Sequence, residues 1–317
     1  MQKVKTTKTY KAKSSKSILG IFLILFLFLS VSCEKNPPKK SNGSLDQLSQ
    51  YKYEQTKKIV QLVNDAVKLV ENEGKKAFPK FRKKGSKWYN GNTYIFVWGL
   101  DGMRYVYPRN PEGEGKNMLA LKDVQDRPIG EMITKAAKTE NGEGWVFYEW
   151  TKPEHEEPVW KATFVKKAIA PTGKKYLIGC GEYNIKMEKE FIVQIVTKAA
   201  SLFQNDRKSA MKAFTSPIVK PSFQNTYIFV KDIKGNEILN PFSPEIVNKN
   251  IMNIQDANGK YFVKEEIEIL KNNDTCWMDY YWNKPKENEP SPKLSFLKRV
   301  IVDGDTLIIG SGFYPEK

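Results

Sequence analysis

The chain has 317 residues, a hydrophobic content of 40%, and 52 Lys and Arg residues against 36 Asp and Glu residues, giving a formal net charge of +16. This apolar content excludes a disordered chain, and the length is typical of about two domains. The single histidine and three cysteines argue against a histidine-rich metal site, a Ser-His-Asp triad and a zinc site built from several cysteines.

The N-terminus has the pattern of a secretory signal. Residues 1–32 contain six lysines and no acidic residue, and the apolar stretch over 18–31 ends in small residues. This stretch is shorter than the roughly 20 residues that span a bilayer. We therefore predict a signal peptide at 1–32, with an uncleaved membrane helix as the alternative.

Cys33 follows this signal directly and resembles the cysteine of the bacterial lipoprotein lipobox. The lipobox usually has an aliphatic residue three positions before the cysteine, whereas this sequence has Ser30 there and Leu29 one step earlier. The resemblance implies that Cys33 is acylated and that its acyl chains anchor the protein in a membrane. Because polar, proline-containing residues follow, we predict a lipidated tether over 33–43. A chance cysteine beside a cleaved signal is the alternative.

The rest of the chain contains an internal duplication. The segment Asn-Thr-Tyr-Ile-Phe-Val at 92–97 recurs unchanged at 225–230, and glycine, proline, tryptophan, tyrosine and lysine positions downstream keep nearly the same offset. This period is longer than that of solenoid repeats. We therefore predict two tandem domains, a first module over 44–185 and a second module over 186–317.

Both modules show the same order of predicted elements. Apolar residues at helical spacing follow Ser44 and Gln47, which match a capping box, and the spacing recurs from about Met187. A β-hairpin, a short helix and three strands follow. The glycine- and proline-containing loop between the hairpin and the short helix is called the excursion. The predicted strands lie at 92–98, 145–150, 159–168 and 175–183 in the first module and at 225–231, 276–282, 293–302 and 305–314 in the second, together with return strands ending at Pro108 and Pro241 and short helices at 128–139 and 260–271. This order predicts an α+β fold in which each module has a long N-terminal helix and a five-stranded, mostly antiparallel sheet.

These motifs together resemble the single Cache domain, a PAS-like extracytoplasmic ligand-binding module of bacterial receptors. The resemblance rests on the YIFV hairpin, the GKN…KD excursion, the GWVFYEWTKP strand, a lysine in the next strand, and the closing IGCGEY or IGSGFY segment. It extends from about 50 to 317, once per module. It implies two tandem PAS-like Cache domains, each with a helix on one face of its sheet and a small-molecule pocket on the other. Members of the family commonly bind organic acids, amino acids or similar metabolites.

Strand alternation places four candidate ligand-binding residues on one face of the first module's sheet. Tyr148 and Trp150 share a face of one strand, and Lys161 and Thr163 share a face of the next. A lysine in the middle of a half-buried strand needs an anion or a route to water, so we predict that Lys161 holds a ligand carboxylate. The alternative is that Lys161 reaches solvent and the aromatic residues are core. The supplementary candidates are Arg104, Tyr107, Lys122, Asp123 and Tyr183. The alternative for Asp123, and for its counterpart Asp256, is that the carboxylate caps a turn or holds the excursion.

The second module keeps only part of this set. The candidates that it retains are Tyr280, Trp282 and Lys293, whereas Glu237, Asn240 and Gln255 replace Arg104, Tyr107 and Lys122. Because two positive groups are lost, we expect the first module to be the one that binds an anion. The second module then binds a different ligand or is structural.

We therefore expect a lipid-anchored, extracytoplasmic sensor-type protein of the cell envelope that binds small metabolites. Because the sequence ends at Lys317 without a second apolar span, we expect no output domain and a membrane signalling partner. The main alternative is a surface lipoprotein with vestigial pockets whose domains serve structural or protein contacts. We expect no catalytic residues, cofactor or metal, and the dispersed charge of an exported chain argues against nucleic-acid binding. The remaining reactive residues, Cys180, Cys276 and His155, are expected to be two buried thiols and part of a solvated loop.

Overall fold

The computed structural model of the protein describes residues 44–152, 157–215 and 223–315. The predicted signal peptide, Cys33, the tether and His155 lie outside the described residues. The described residues belong to one compact unit that spans 34–317. Among them, no helix has both the length and the apolar character needed to cross a membrane.

The two modules have closely matching element orders. In chain order, the first module comprises α1 (Ser44–Ser49), α2 (Glu54–Glu73), α3 (Phe78–Arg82), β1 (Tyr89–Asn90), β2 (Thr93–Tyr94), β3 (Phe96–Gly99), β4 (Arg104–Val106), α4 (Ile129–Ala136), β5 (Glu143–Thr151), β6 (Pro158–Ile169) and β7 (Lys175–Tyr183). The second module comprises α5 (Lys189–Asn205), α6 (Arg207–Thr215), β8 (Phe229–Asp232), β9 (Glu237–Leu239), α7 (Phe262–Asn272), β10 (Thr275–Asn283), β11 (Pro290–Val302) and β12 (Asp305–Phe313).

Each module builds one five-stranded antiparallel sheet. The strand order is β4-β3-β7-β6-β5 in the first sheet and β9-β8-β12-β11-β10 in the second. The hairpin turns require glycine, because Gly102 and Gly235 have φ angles of +85° and +82°. The predicted α+β class, with two tandem PAS-like units, is confirmed.

One face of each sheet is covered by its long helix. Helix α2 packs on β6 and β7, and α5 packs on β11 and β12. The apolar side chains between helices and sheets form one continuous core that includes residues of both modules. The rings of Phe147 in β5 and Phe223 stack with centroids 4.5 Å apart, which ties the modules together. The exact boundary at 185/186 stays a prediction.

The first helix differs from the sequence prediction. It is interrupted between α1 and α2, where the buried carboxylate of Glu188 accepts hydrogen bonds from the backbone amides of Lys52 (2.8 Å) and Tyr53 (2.9 Å). The side chain of Gln47 bonds Asn64 and Glu143 across the module. The spacing of apolar residues does not reveal this interruption, because the carboxylate of Glu188 that accepts the bond from Tyr53 lies 135 positions away.

Candidate functional site

Lys161 lies near the start of β6, on the sheet face that α2 leaves uncovered. The strand register places it between Tyr148 of β5 and Tyr183 of β7. Its side chain is only 3% exposed. The structure therefore brings Lys161 together with two of the aromatic residues that the sequence pattern predicts around it.

The ammonium group of Lys161 is surrounded by aromatic rings. Its Nζ lies 4.4 Å from the ring centroid of Tyr183 and 5.2 Å from that of Tyr94, and both contacts are cation–π interactions. No hydrogen bond or ion pair of this ammonium occurs in the part of the chain that the structure describes. Burial lowers the pKa of Lys161 to about 8, so the group is still mainly charged at pH 7. A buried charge of this kind favours binding of an anion.

Two glycines of β7 make room for this arrangement. A Cβ atom on Gly181 would lie 2.7 Å from Cε of Lys161 and 2.3 Å from Oγ1 of Thr163. A Cβ atom on Gly179 would lie 2.3 Å from the ring of Phe96. The repeated spacing of these glycines can be read from the sequence. Which side chains pack against them cannot.

Tyr148 and Thr163 form a polar pair beside the lysine. Their hydroxyl oxygens lie 2.8 Å apart, and both side chains are buried. Burial raises the pKa of Tyr148, so its phenol stays neutral. The ring of Trp150 stands edge-on to that of Tyr148, with centroids 6.1 Å apart. The four residues predicted from strand alternation thus lie along two adjacent strands of one face.

Two arginines contact the aromatic residues around Lys161. The guanidinium of Arg104 lies 4.4 Å from the ring centroid of Tyr107, whose ring contacts that of Tyr94 at 5.7 Å. Arg109 lies 5.8 Å from the Tyr94 ring centroid, and its charge contributes, after burial, to the lowered pKa of Lys161. The sequence analysis missed Arg109. Its place immediately after the return strand was the only signal that could have found it.

Lys122 and Asp123 are not brought to Lys161. The Lys122 side chain is 60% exposed, and its ammonium lies 3.7 Å from a carboxylate oxygen of Asp126. The carboxylate of Asp123 accepts hydrogen bonds from Arg127 and from the backbone amide of Glu149. These bonds fasten the excursion to the edge strand β5. Asp256 does the same in the second module, accepting backbone hydrogen bonds from Asn258, Lys260 and Tyr281.

The second module repeats the geometry around its lysine. Lys293 pairs in register with Tyr280, and its ammonium donates a hydrogen bond to the Tyr227 hydroxyl at 2.9 Å. The hydroxyl oxygens of Tyr280 and Ser295 lie 3.0 Å apart. The ring of Trp282 stands edge-on to that of Tyr280, with centroids 6.3 Å apart.

The second site differs in its additional buried charges. Lys231 of β8 forms an ion pair with Glu266 of α7, and Glu237 of β9 is also buried. Burial, with the nearby charge of Lys231, lowers the pKa of Lys293 to about 7, and burial raises that of Glu237 to about 7. Two lysines and two glutamates therefore share one buried region.

Two cysteines, Cys180 and Cys276, lie in the part of the chain that the structure describes. Cys180 and Cys276 form no disulfide with each other, and both are buried. Burial raises the pKa of Cys180 to about 12, so its thiol is protonated at neutral pH. Within the ranges that the structure describes, no group of three or more His, Cys, Asp or Glu residues could hold a metal ion.

Two curated proteins are similar to part of the chain. The methyl-accepting chemotaxis protein McpP of Pseudomonas putida is 28% identical over 90 residues, which are 28% of this chain and 16% of that protein. The sensor histidine kinase MctS of Rhizobium johnstonii is 32% identical over 96 residues, which are 30% of this chain and 20% of that protein. The chain thus spans a fifth or less of the length of these relatives.

Solved structures of sensor domains also resemble part of the chain. A Cache chemosensory domain described as recognising carboxylic acids is 22% identical, with a TM-score of 0.36. The match covers 40% of this chain and 93% of the chain of that domain. A methyl-accepting chemotaxis protein of Vibrio parahaemolyticus is 21% identical, with a TM-score of 0.33, and covers 40% of this chain and 84% of its own.

The family comparison covers much more of the sequence. The Cache domain family model matches residues 34–314, which include both sheets and both lysine-centred faces. Cache domains are extracytoplasmic sensor modules. The chain therefore belongs to the Cache domain family.

Proposed function

We propose that this chain is a membrane-anchored extracytoplasmic sensor protein whose first module binds a small carboxylate on Lys161. The observation that carries this proposal is the buried ammonium of Lys161, which has aromatic neighbours and no ion-pair partner among the described residues. Family membership supports the sensor role. The match to part of a chemotaxis receptor and part of a sensor kinase supports it further.

The surroundings of Lys161 favour a small monoanion with a short apolar part. One ammonium can neutralise one carboxylate, and charge-assisted hydrogen bonds are the strong ones in a desolvated site. Because the hydroxyl groups of Tyr148 and Thr163 bond each other, one of the two can still donate a hydrogen bond to a ligand oxygen. The rings of Tyr94, Tyr183 and Trp150 offer apolar surface to the rest of the ligand. This combination fits an organic acid of a few carbon atoms.

In this proposal the protein acts by binding and not by catalysis. Cys33 carries the lipid that holds the sensor at the membrane, and ligand occupancy is passed to a separate membrane signalling partner. A Cys33→Ser chain should then lose incorporation of labelled palmitate and leave the membrane fraction. Retention of the label by this variant would contradict the anchor but leave the binding site untouched.

Ligand binding can be tested by thermal unfolding of the full-length protein in detergent. The panel contains acetate, propionate, lactate and pyruvate, with glycine and alanine as zwitterionic comparisons. A carboxylate present at 100 times its Kd should stabilise the folded state by about 2.7 kcal/mol. The shift should disappear in Lys161→Met and persist in Lys167→Met, which alters a partly exposed lysine on the same face of β6.

The alternative function, a surface lipoprotein that serves protein contacts, leads to a different result. It requires no compound of the panel to raise the unfolding temperature. A shift that Lys161→Met leaves unchanged would also contradict the proposed site.

A further inference from the structure

The second module carries charges at positions where the first module has none or the opposite charge. At the offset that relates Asn92 to Asn225, Trp98 corresponds to Lys231 and Ile133 to Glu266. Arg104 corresponds to Glu237 at the same offset. Trp98 and Ile133 are buried in the apolar cluster of the first module. The second module has therefore gained one buried cation and two buried anions around an otherwise matching lysine.

These added charges compensate one another. The Lys231 ammonium and the Glu266 carboxylate form a direct ion pair, and both side chains are buried. Although burial alone would lower it, the carboxylates of Glu266 and Glu237 raise the pKa of Lys231. Glu237 is paired in register with Lys231 across β8 and β9. Two lysines and two glutamates leave the region neutral, unlike the surroundings of Lys161.

The buried region that holds these two lysines and two glutamates has almost no empty space. Lys231, Glu237 and Lys293 line a cavity of about 10 Å³, which is room for about one water molecule. One carboxylate oxygen of Glu237 and one of Glu266 have no hydrogen-bond partner within the described ranges. The site thus has no space for an additional carboxylate, and its own anions would repel one.

We infer that Glu266 determines the specificity of the second module by pairing with the Lys231 ammonium, so that only the first module, where Lys161 has no ion-pair partner among the described residues, accepts an external carboxylate. This inference rests on the proposed function for its account of the first module. Glu266 supplies from α7 the negative charge that a ligand would otherwise bring. The buried side chain of Glu237 lines the same cavity and takes up room that a further anion would need.

The chemistry of a truncation makes this inference testable. Replacing glutamate by alanine removes a carboxymethyl group, and acetate has the same carboxylate and one carbon. In Glu266→Ala the ammonium of Lys231 loses its ion-pair partner, and the truncation leaves a cavity of about the size of acetate beside it. Acetate should enter this cavity and restore the ion pair, whereas butyrate should be too long.

The experiment counts acetate sites on the full-length protein in detergent by equilibrium dialysis with ¹⁴C-acetate. All variants carry Lys161→Met, which silences the first module. We expect no saturable site in Lys161→Met alone and one site per chain when Glu266→Ala is added. The matched control adds Lys231→Leu and Glu266→Leu together, which also removes the Lys231 ammonium that would hold acetate, and should bind none because Glu237 still lines the cavity beside Lys293.

Two results would overturn the inference. The first is a folded Lys161→Met/Glu266→Ala chain, checked by circular dichroism, that binds no acetate. The second is saturable acetate binding to Lys161→Met that Lys293→Met removes, which would show that the unaltered second module is open. If the truncated chain does not fold even with acetate, this second measurement decides. Failure of the proposed function is measured separately. It would be shown if the unaltered chain bound none of acetate, propionate, lactate and pyruvate, or if Lys161→Met did not abolish that binding.

Discussion

Replacing Lys161 by methionine should make the ligand-free protein more stable while it abolishes binding. Methionine has nearly the length of the lysine stem and places no charge in the aromatic surroundings. The lysine is buried and has no ion-pair partner within the described residues. A binding residue of this kind lowers stability in the absence of its ligand.

The magnitude follows from the pKa of the buried ammonium. Burial lowers this pKa from 10.5 to about 8, and one pKa unit corresponds to about 1.4 kcal/mol. Holding the charged form in the folded chain at pH 7 therefore costs about 3 kcal/mol. The cation–π contacts with Tyr94 and Tyr183 offset about 1 to 2 kcal/mol of this cost. Lys161→Met should raise the free energy of unfolding by about 1 to 2 kcal/mol.

The assay is urea unfolding at pH 7 of the full-length protein in detergent, without ligand, followed by circular dichroism. Lys167→Met serves as the control, and a substitution at a partly exposed position should change the free energy of unfolding by less than about 0.5 kcal/mol. A loss of stability in Lys161→Met larger than that of the control would refute the reasoning. It would mean that the ammonium already has a favourable partner in the ligand-free chain.

Three further outcomes are expected. Carboxylate affinity should be constant from pH 6 to 7.5 and fall about tenfold per pH unit above about 8, because neutral Lys161 does not hold an anion. Titration calorimetry measures this affinity, and a flat profile to pH 9.5 would exclude Lys161 as the binding group. Gly181→Ala should weaken both stability and binding, since its Cβ would lie 2.7 Å from Lys161 Cε, whereas Gly312→Ala should weaken stability alone; equal effects on ligand titrations would contradict the assignment. Glu188→Ala should cost about 3 kcal/mol in urea unfolding by removing a charged acceptor from two backbone amides; a change below about 0.5 kcal/mol would show that these bonds contribute little.

The sequence predicted most of the fold because the duplication repeats the strand and turn pattern twice. The strand predicted at 175–183 matches β7 (Lys175–Tyr183), and the other long strands agree to within a few residues. Short elements such as β1 and α3 were not predicted, and β2 was predicted only as part of a longer strand over 92–98. Their few residues carry too little periodicity to distinguish them from loops.

The candidate site was predictable only where strand alternation decides which side chains share a face. Lys161 and Tyr148 meet for that reason. Asp123 was a supplementary candidate by residue type, and its carboxylate has the alternative role expected for it, because it fastens the excursion to β5. The ion pair of Lys231 and Glu266 joins a strand to a helix 35 positions later, and spacing alone does not indicate such a contact.

The central claim, that Lys161 binds a ligand carboxylate, is tested most directly by a crystal structure of the protein with bound propionate. We expect a carboxylate oxygen within about 3 Å of the Lys161 Nζ atom, the propionate methyl group against the rings of Tyr94 or Tyr183, and no propionate beside Lys293. Propionate bound beside Lys293 with the Lys161 site vacant would contradict the claim, as would a Lys161 ammonium paired with a protein carboxylate.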